Sequence, residues 1–297
     1  MNQSIQFEQL TVPKQFVPPQ MGEAIICNGV NYYIGQQIGE GSFGVVYECS
    51  DEWNNRLVAK VLSPKNRSYE QVKYEWEKEL NHLKTLRHPN VTFIHQAFEC
   101  RDTFYIVTER CEFTLGQLIA RPGFDGHLWF PHIARDMLHG LDFIHSHGYV
   151  HKDLHLENIF VSNTYDLMVP TKAPVWSFKI ADFGIANLEG FIRQPNTLLA
   201  QWMLAPEVLD SQSFGSVGRS MDIYHAGLML LQILVGQPLN FSNNDILAGM
   251  PRQMAERLNS PYSYALSKAL RRHVRDRTQS AVEMWRDIKA ALPQQYL

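Results

Sequence analysis

The first third of the chain alternates short apolar segments with turn residues. Segments 23–27 and 30–34 flank Asn28-Gly29, a pair typical of the two-residue turn of a β-hairpin. Apolar residues at 45–47 and 57–59 predict two further strands, separated by polar turn residues. This part of the chain therefore predicts an antiparallel sheet.

A helical period follows these strands. Trp76, Leu80 and Leu83 recur at intervals of four and three residues, which predicts a helix over about residues 69–86. The helix is expected to end before Pro89, because the residue before a proline disfavours helical geometry. Two more apolar strands are predicted at 92–98 and 103–108.

From residue 115 onward the pattern becomes mainly helical. Ile133, Met137, Leu141 and Ile144 lie on one face of a 3.6-residue period. The run after Asp222 is apolar nearly all round, which is typical of a helix buried on every side. The order of elements predicts an α+β fold with a small β-rich lobe carrying one main helix and a larger, mostly helical lobe.

Three segments follow from this organisation. Residues 1–30 form a leader, broken by prolines, and an extra hairpin strand; residues 31–110 form the first lobe and 111–297 the second. We expect the lobes to meet near residues 109–112, and a cleft between lobes is a usual position for a ligand.

Composition and charge narrow the function classes. The chain has 297 residues, 45% of them hydrophobic, and a net charge of −3, which argues against nucleic acid as a partner. The longest apolar run, 226–235, is far shorter than the ~20 residues of a membrane span. The basic run at 271–277 is interpreted as a solvated helix face.

The four cysteines are scattered, without a CxxC pair, which is typical of reduced thiols rather than disulfides or a zinc site. The first residues lack a positive and then apolar signal pattern. We therefore expect a cytoplasmic protein, with export by a route that needs no cleaved signal left open.

A glycine-rich motif, GxGxxG, begins at Gly39 and ends at Gly44. A dinucleotide-binding fold would require a helix after it, but the following residues have a strand pattern. This context favours a β-hairpin whose backbone N–H groups can approach phosphates. Further along, Lys60 lies on an apolar strand, where a buried ammonium needs an anionic partner, and Glu79 on the predicted helix is the candidate.

Three later motifs complete an ordered series. They are HxDxxxxN from His151 to Asn158, DFG from Asp182 to Gly184 and APE from Ala205 to Glu207. With the glycine-rich motif and Lys60, this order over about residues 32–288 resembles the eukaryotic-type protein kinase family. The resemblance implies a bilobal kinase fold, a protein substrate, ATP and Mg²⁺, with Mn²⁺ as an alternative metal.

The resemblance also implies a role for each matching residue. The catalytic residues are Asp153 as the base that accepts the hydroxyl proton, Lys60 paired with Glu79 to hold the phosphates, and His155 near the γ-phosphate. Asn158 and Asp182 hold the metal. The ATP-binding residues are Ile38, Gly39, Glu40, Gly41, Ser42, Phe43, Gly44, Val46, Ala59, Lys60, Glu109, Cys111 and Phe160, with Thr108 behind the adenine.

Structural roles follow from the same resemblance. Glu207 is expected to pair with Arg277, and Asp222 to hold the catalytic loop. An apolar column that marks the active state is expected from Leu83, Ile94, His151 and Phe183.

The chain departs from the family pattern at several positions. The usual Arg before the base is Lys152, and the usual Lys two residues after it is His155. Ala200 replaces the threonine of Ser/Thr kinases, and Thr197 is the only hydroxyl residue between the last two motifs. The stretch before Asp182 is long, and residues 169–177 are expected to form an extra loop.

Three alternatives remain open from the sequence. The histidines around the HxDxxxxN motif could bind a metal, although a loop would not place them on one face. A small-molecule kinase of the aminoglycoside or choline type also carries HxDxxxxN, but it lacks the DFG–APE segment. A catalytically silent scaffold tends to lose the Lys, the base or the metal Asp, all of which this chain retains.

Overall fold

The computed structural model describes residues 14–40, 44–165, 174–182, 187–188 and 204–292. These residues form two compact units. The first unit contains the described residues up to Asn81 together with Ile94–Glu109, and the second contains His82–Phe93 and the described residues from Arg110 onward.

The first unit is built on one antiparallel sheet with the order β1-β2-β3-β4-β6-β5. The strands alternate buried and more exposed positions, so that Leu57, Ala59 and Val61 on one strand and Tyr105 and Val107 on its neighbour share a core. The elements are β1 (Ala24–Cys27), β2 (Val30–Glu40), β3 (Gly44–Asp51), β4 (Arg56–Leu62), α1 (Tyr69–Thr85), β5 (Ile94–Cys100) and β6 (Thr103–Glu109).

The predicted hairpin at Asn28-Gly29 is confirmed. Asn28 and Gly29 have φ angles of 51° and 81°, and Cys27 pairs with Val30 across them. Two successive positive φ angles define the turn whose twist matches that of the flanking strands, and Asn and Gly adopt them most readily. This turn adds β1 to the edge of the sheet.

The second unit is mainly helical, with a three-stranded sheet of order β10-β9-β7 and a two-stranded pair of β8 and β11. Its elements are β7 (Phe113–Thr114), α2 (Leu115–Ile119), α3 (Gly126–Ser146), β8 (Tyr149–Val150), β9 (Ile159–Tyr165), β10 (Pro174–Ile180), β11 (Asn187–Leu188), α4 (Pro206–Leu209), α5 (Ser211–Phe214), α6 (Arg219–Val235), α7 (Asn243–Ala248), α8 (Met250–Arg257), α9 (Ser263–Ala269) and α10 (Ala281–Ala290).

Helix α6 forms the centre of this unit, as its all-round apolar pattern predicts. All residues from Ser220 to Leu234 are buried, and the helix ends at Gly236, whose φ of 75° suits a glycine cap. The four predicted residues on the apolar face of α3 are also buried. No helix in the described ranges is both long and apolar enough to cross a bilayer.

The extra loop expected at residues 169–177 is partly wrong. Pro174–Ser177 belong to β10, which pairs with β9 as far as Tyr165, while residues 166–173 lie outside the described residues. Trp176 explains the longer strand, because its ring packs 5.7 Å from that of Trp129 and 5.9 Å from that of Phe113. Aromatic packing of this kind favours a pleated surface over a loop.

The solvated helix expected at residues 271–277 is wrong. Helix α9 ends at Ala269, and a short 3₁₀ turn, Val274–Asp276, follows. Arg277 is only 2% exposed, because its guanidinium pairs with the buried carboxylate of Glu207. The run therefore ends in the interior of the second unit.

Candidate active site

The predicted pair of Lys60 and Glu79 is present within the first unit. Lys60 is on β4 between Ala59 and Val61, which face the core, and its Nζ donates to Glu79 Oε1 over 2.8 Å. The side chain of Glu79 is 8% exposed and that of Lys60 is 20% exposed. A charge-assisted hydrogen bond at this depth is well shielded from water and fixes both groups.

Contacts of Trp76 hold helix α1 against β6 one turn before Glu79. The indole of Trp76 donates through Nε1 to the carbonyl of Tyr105 over 3.0 Å, and its ring lies 5.2 Å from that of Phe104. Both partners belong to β6. The helix therefore cannot rotate about its axis without losing these contacts, which keeps Glu79 directed at β4.

The glycine-rich motif is a hairpin between β2 and β3, as its strand context predicts. Gly39 pairs with Val46 across the hairpin. A Cβ on Gly44 would collide with the backbone carbonyl of Val61 on β4, so the packing of the two strands requires a glycine here. The hairpin tip, Gly41, Ser42 and Phe43, lies outside the described residues.

The other predicted nucleotide-binding residues lie on strands or directly after them. Ile38 and Glu40 belong to β2, Val46 to β3 and Ala59 to β4. Glu109 ends β6 beside Thr108, Cys111 follows two residues later, and Phe160 lies on β9 opposite Thr114. Their contacts with a nucleotide stay predictions.

Asp222 holds the catalytic loop from within the second unit, as predicted. Its Oδ2 accepts from the backbone N–H of His151 and its Oδ1 from that of Lys152, both over 2.8 Å. The ring Nε2 of His145 lies 2.8 Å from Oδ2. Burial alone would raise the pKa of Asp222, but hydrogen bonding to His145 and nearby imidazole charge lower it below its usual value.

This anchor supports a strained backbone. Lys152 has a φ of 70°, in the left-handed region that a lysine rarely adopts. Its side chain is nonetheless buried, and His151 reaches from the same turn to the carbonyl of Ala181 over 3.0 Å. The Asp222 bonds thus maintain an unfavourable conformation directly before Asp153.

Asp153, the predicted base, is kept ionised by its neighbours. Burial would raise its pKa, but the neighbouring imidazole of His155, followed by that of His151, lowers it below the ordinary value. His155 Nε2 lies 3.7 Å from Asp153 Oδ1, while its Nδ1 accepts from the N–H of Glu157. The Nδ1 contact leaves the ring proton on Nε2, directed at Asp153.

Asn158 and Asp182 fit the predicted metal site in their chemistry. The amide nitrogen of Asn158 donates to the carbonyl of Asp153 over 2.9 Å, which leaves its Oδ1 as a hard oxygen donor. The N–H of Ala181, the residue before Asp182, donates to the carbonyl of Asn158. The charge of Asp182 raises the pKa of Asp153, which opposes the larger lowering by the imidazoles.

These oxygens suit Mg²⁺, which usually takes one or two protein oxygens and completes its shell with water and phosphate oxygens. Within the described ranges, no group of three His, Cys, Asp or Glu side chains is arranged to hold an ion by itself.

One buried residue near this site, His225, was not indicated by any of the sequence motifs. His225 lies on α6 three residues after Asp222, is completely buried, and neither ring nitrogen has a partner among the described residues. Burial lowers its pKa, and the charges of Asp222, Glu207 and Asp153 oppose that shift. A histidine directly before the apolar run 226–235 was the only sequence feature that could have indicated it.

Other expected contacts have mixed outcomes. The predicted pair of Glu207 and Arg277 is confirmed, with two nitrogen–oxygen distances of 2.7 Å. The side chain of Leu83, together with Phe183, Thr197 and Ala200, lies outside the described residues. The predicted apolar column therefore stays a prediction.

Comparison with known proteins matches residues 32–289 to the protein kinase domain family. The chain is 28% identical over 232 residues to calcium-dependent protein kinase 24 of Arabidopsis thaliana, covering 76% of this chain and 37% of that protein. It is 30% identical over 210 residues to cyclin-dependent kinase-like 4 of Homo sapiens, covering 70% and 52%. The corresponding values for the Mus musculus protein are 29% over 212 residues, 71% and 58%.

The chain thus spans between 37% and 58% of the length of these relatives. The family match is broader, since it covers most of the chain and includes strands β3 to β6, Lys60, the catalytic loop and α6. The chain belongs to the protein kinase domain family.

Proposed function

We propose that this chain is an ATP- and Mg²⁺-dependent protein kinase that transfers the γ-phosphate to serine or threonine hydroxyls. The observation that carries the proposal is the position of Asp153 on a loop whose backbone is fixed by Asp222, with Asn158 bonded to the same loop. All four cysteines lie outside disulfides, which supports a cytoplasmic location.

Each residue has a defined task in this reaction. Lys60, held by Glu79, binds the α- and β-phosphates, and Mg²⁺ bound by Asn158 and Asp182 would offset phosphate charge. Asp153 accepts the proton of the hydroxyl as its oxygen bonds to the γ-phosphorus. The bond from that phosphorus to the bridging oxygen of ADP breaks at the same time. A general base contributes about 10²–10⁴-fold to such a step.

We assign to His155 the stabilisation of the negative charge on the transferred phosphate. Other members of the family carry a lysine at this position. Here the Nε2–H group of the imidazole supplies one hydrogen-bond donor in its place. The 3.7 Å distance to Asp153 keeps this donor next to the base. The substitution replaces a permanently charged ammonium by an imidazole N–H donor.

The test is transfer of labelled phosphate from Mg-ATP to generic protein substrates, followed by identification of the phosphorylated residue type. We expect phosphoserine or phosphothreonine with the wild type and loss of at least about 100-fold in kcat with Asp153→Asn, while ATP binding persists. Parallel reactions with aminoglycosides and choline test the small-molecule alternative. ATP binding without transfer to any acceptor would instead indicate a silent scaffold.

A further inference from the structure

The end of the leader lies on the turn between β5 and β6. Lys14 Nζ donates to Asp102 Oδ1 over 2.7 Å, and the N–H of Gln15 donates to Oδ2 of the same carboxylate. The N–H of Val17 donates to Thr103 Oγ1 over 3.0 Å. Between them, Phe16 packs against the core of the sheet. Four successive residues of the leader are thus fixed within the first unit.

The turn that receives the leader is itself rigid. Arg101 and Asp102 have φ angles of 51° and 55°, and Cys100 pairs with Thr103 across them. Two positive φ angles define a tight hairpin turn, and Asp tolerates this conformation better than most residues. The carboxylate of Asp102 is therefore presented in one place, and its bond to Lys14 lowers its pKa.

Lys14 also contacts helix α1. Its Nζ lies 5.0 Å from the centre of the Tyr69 ring, and Tyr69 is the first residue of the helix. The hydroxyl of Tyr69 donates to Glu99 over 2.7 Å, and its ring packs 5.2 Å from that of Phe104. A cation at this distance over an aromatic ring is attracted to it.

Tyr69 begins the row of side chains that ends at Glu79. Tyr69, Val72, Trp76 and Glu79 are spaced by three, four and three residues, which places them on one face of α1. The ring of Phe104 is 5.2 Å from both Tyr69 and Trp76. The leader and the helix also line a common cavity of about 250 Å³ whose walls include Lys14, Phe16, Tyr69, Val72 and Phe104.

We propose that Lys14 is a positioning residue, which holds the first turn of α1 on the β5–β6 hairpin and thereby directs Glu79 at Lys60. The inference rests on the proposed function, in which the pair of Lys60 and Glu79 orients phosphates. Lys14 itself touches neither substrate nor reacting atoms. Lys14 contacts Tyr69 at one end of this row of side chains, and Glu79 at the other end contacts Lys60.

The charge of Lys14 makes the effect dependent on salt. The side chain of Lys14 is 53% exposed, so its attraction to Asp102 is open to screening. At about 0.5 M salt the screening length falls to a few ångströms. Any contribution of Lys14 to catalysis should therefore shrink at high salt, whereas a contribution from packing alone would not.

The experiment compares full-length Lys14→Gln with wild type. We expect kcat to fall about two- to fivefold, the size of effect that one exposed cation–π contact can produce, with an unchanged KM for the protein substrate. Lys14→Arg keeps the charge and should restore kcat. The matched control is Arg101→Gln. It removes a cation from the same turn, but that cation pairs with Glu23 and not with α1. It should leave kcat at the wild-type value.

A double-mutant cycle with Glu79→Gln tests the route. If Lys14 acts through Glu79, Lys14→Gln has no further effect on kcat in the Glu79→Gln background. Additive losses would overturn the proposal, as would equal losses from Lys14→Gln and Arg101→Gln or a loss that persists unchanged at high salt.

Hydrogen exchange separates this inference from the proposed function. Lys14→Gln should speed amide exchange in residues 70–76 of α1, relative to both wild type and Arg101→Gln. A wild-type protein without phosphate transfer would contradict the proposed function, and the exchange result would still decide the positioning role. Unchanged exchange in α1 would overturn it.

Discussion

The ion pair of Glu207 and Arg277 allows a prediction whose size follows from the structure. Both side chains are fully buried, and the two guanidinium nitrogens lie 2.7 Å from the two carboxylate oxygens. Glu207→Gln removes the negative charge and keeps the shape. Arg277 then stays buried with neutral acceptors only, namely the new amide oxygen and the carbonyls of Ser220, Arg271 and Arg272.

A buried charge without its counter-ion is costly. Breaking such a pair from one side destabilises a protein by about 3–5 kcal/mol. We expect about 3 kcal/mol for Glu207→Gln, the lower end, because the amide oxygen and three carbonyls still accept from Arg277. For a unit of this size, that corresponds to a Tm lower by about 6–12 °C. The stability losses from Glu207→Gln and Arg277→Met should be clearly less than additive in the double mutant.

Urea and thermal unfolding measure this difference. The matched control is Arg252→Gln, which breaks an exposed pair with Glu256 at 2.8 Å, where both side chains are nearly half exposed. That change should cost less than about 0.5 kcal/mol. A loss below about 1 kcal/mol for Glu207→Gln, or a loss equal to that of the control, would refute the reasoning.

Three further predictions concern the site and its support. Lys60→Met should lower both activity and Mg-ATP affinity, whereas Glu79→Gln should mainly lower kcat; small, equal effects of both on kcat and affinity would contradict the pairing role. His155→Lys should keep kcat at or above the wild-type value, since a lysine supplies a charged donor at the same position, whereas His155→Ala should lower kcat; equal kcat in all three proteins would remove His155 from catalysis. Burial lowers the pKa of His225, so the unfolded chain takes up a proton first and the free energy of unfolding should decline as pH falls below about 6.5. His225→Leu should show a shallower decline in urea titrations, and equal slopes would contradict this role.

The sequence predicted those features that depend on local pattern. Asn28-Gly29 indicates its turn through two positive φ angles, and the spacing of Trp76 and Leu80 indicates α1. The pairing of Lys60 with Glu79 followed from the cost of an isolated ammonium on an apolar strand. In each case the information lies within a single segment or in the need of one buried charge for a counter-ion.

Features that depend on distant partners were not predictable in this way. The basic run at 271–277 looked like a solvated helix, and only the buried Glu207 explains why Arg277 is interior. The extension of β10 depends on Trp129, almost fifty residues before Trp176. The sequence around Lys14 showed only prolines, whereas the fixed position of Lys14 and Gln15 depends on Asp102.

The three bonds to Asp222 have a consequence for synthesis of the chain. The carboxylate lies 70 residues after Lys152 and 71 after His151 in the sequence, yet it is the group that holds their backbone. While the protein is being translated, the catalytic loop leaves the ribosome well before its anchor exists. During that interval the left-handed turn at Lys152 lacks the two hydrogen bonds to Asp222. The loop before Asp153 can therefore reach the conformation described here only after α6 has been made and packed against it.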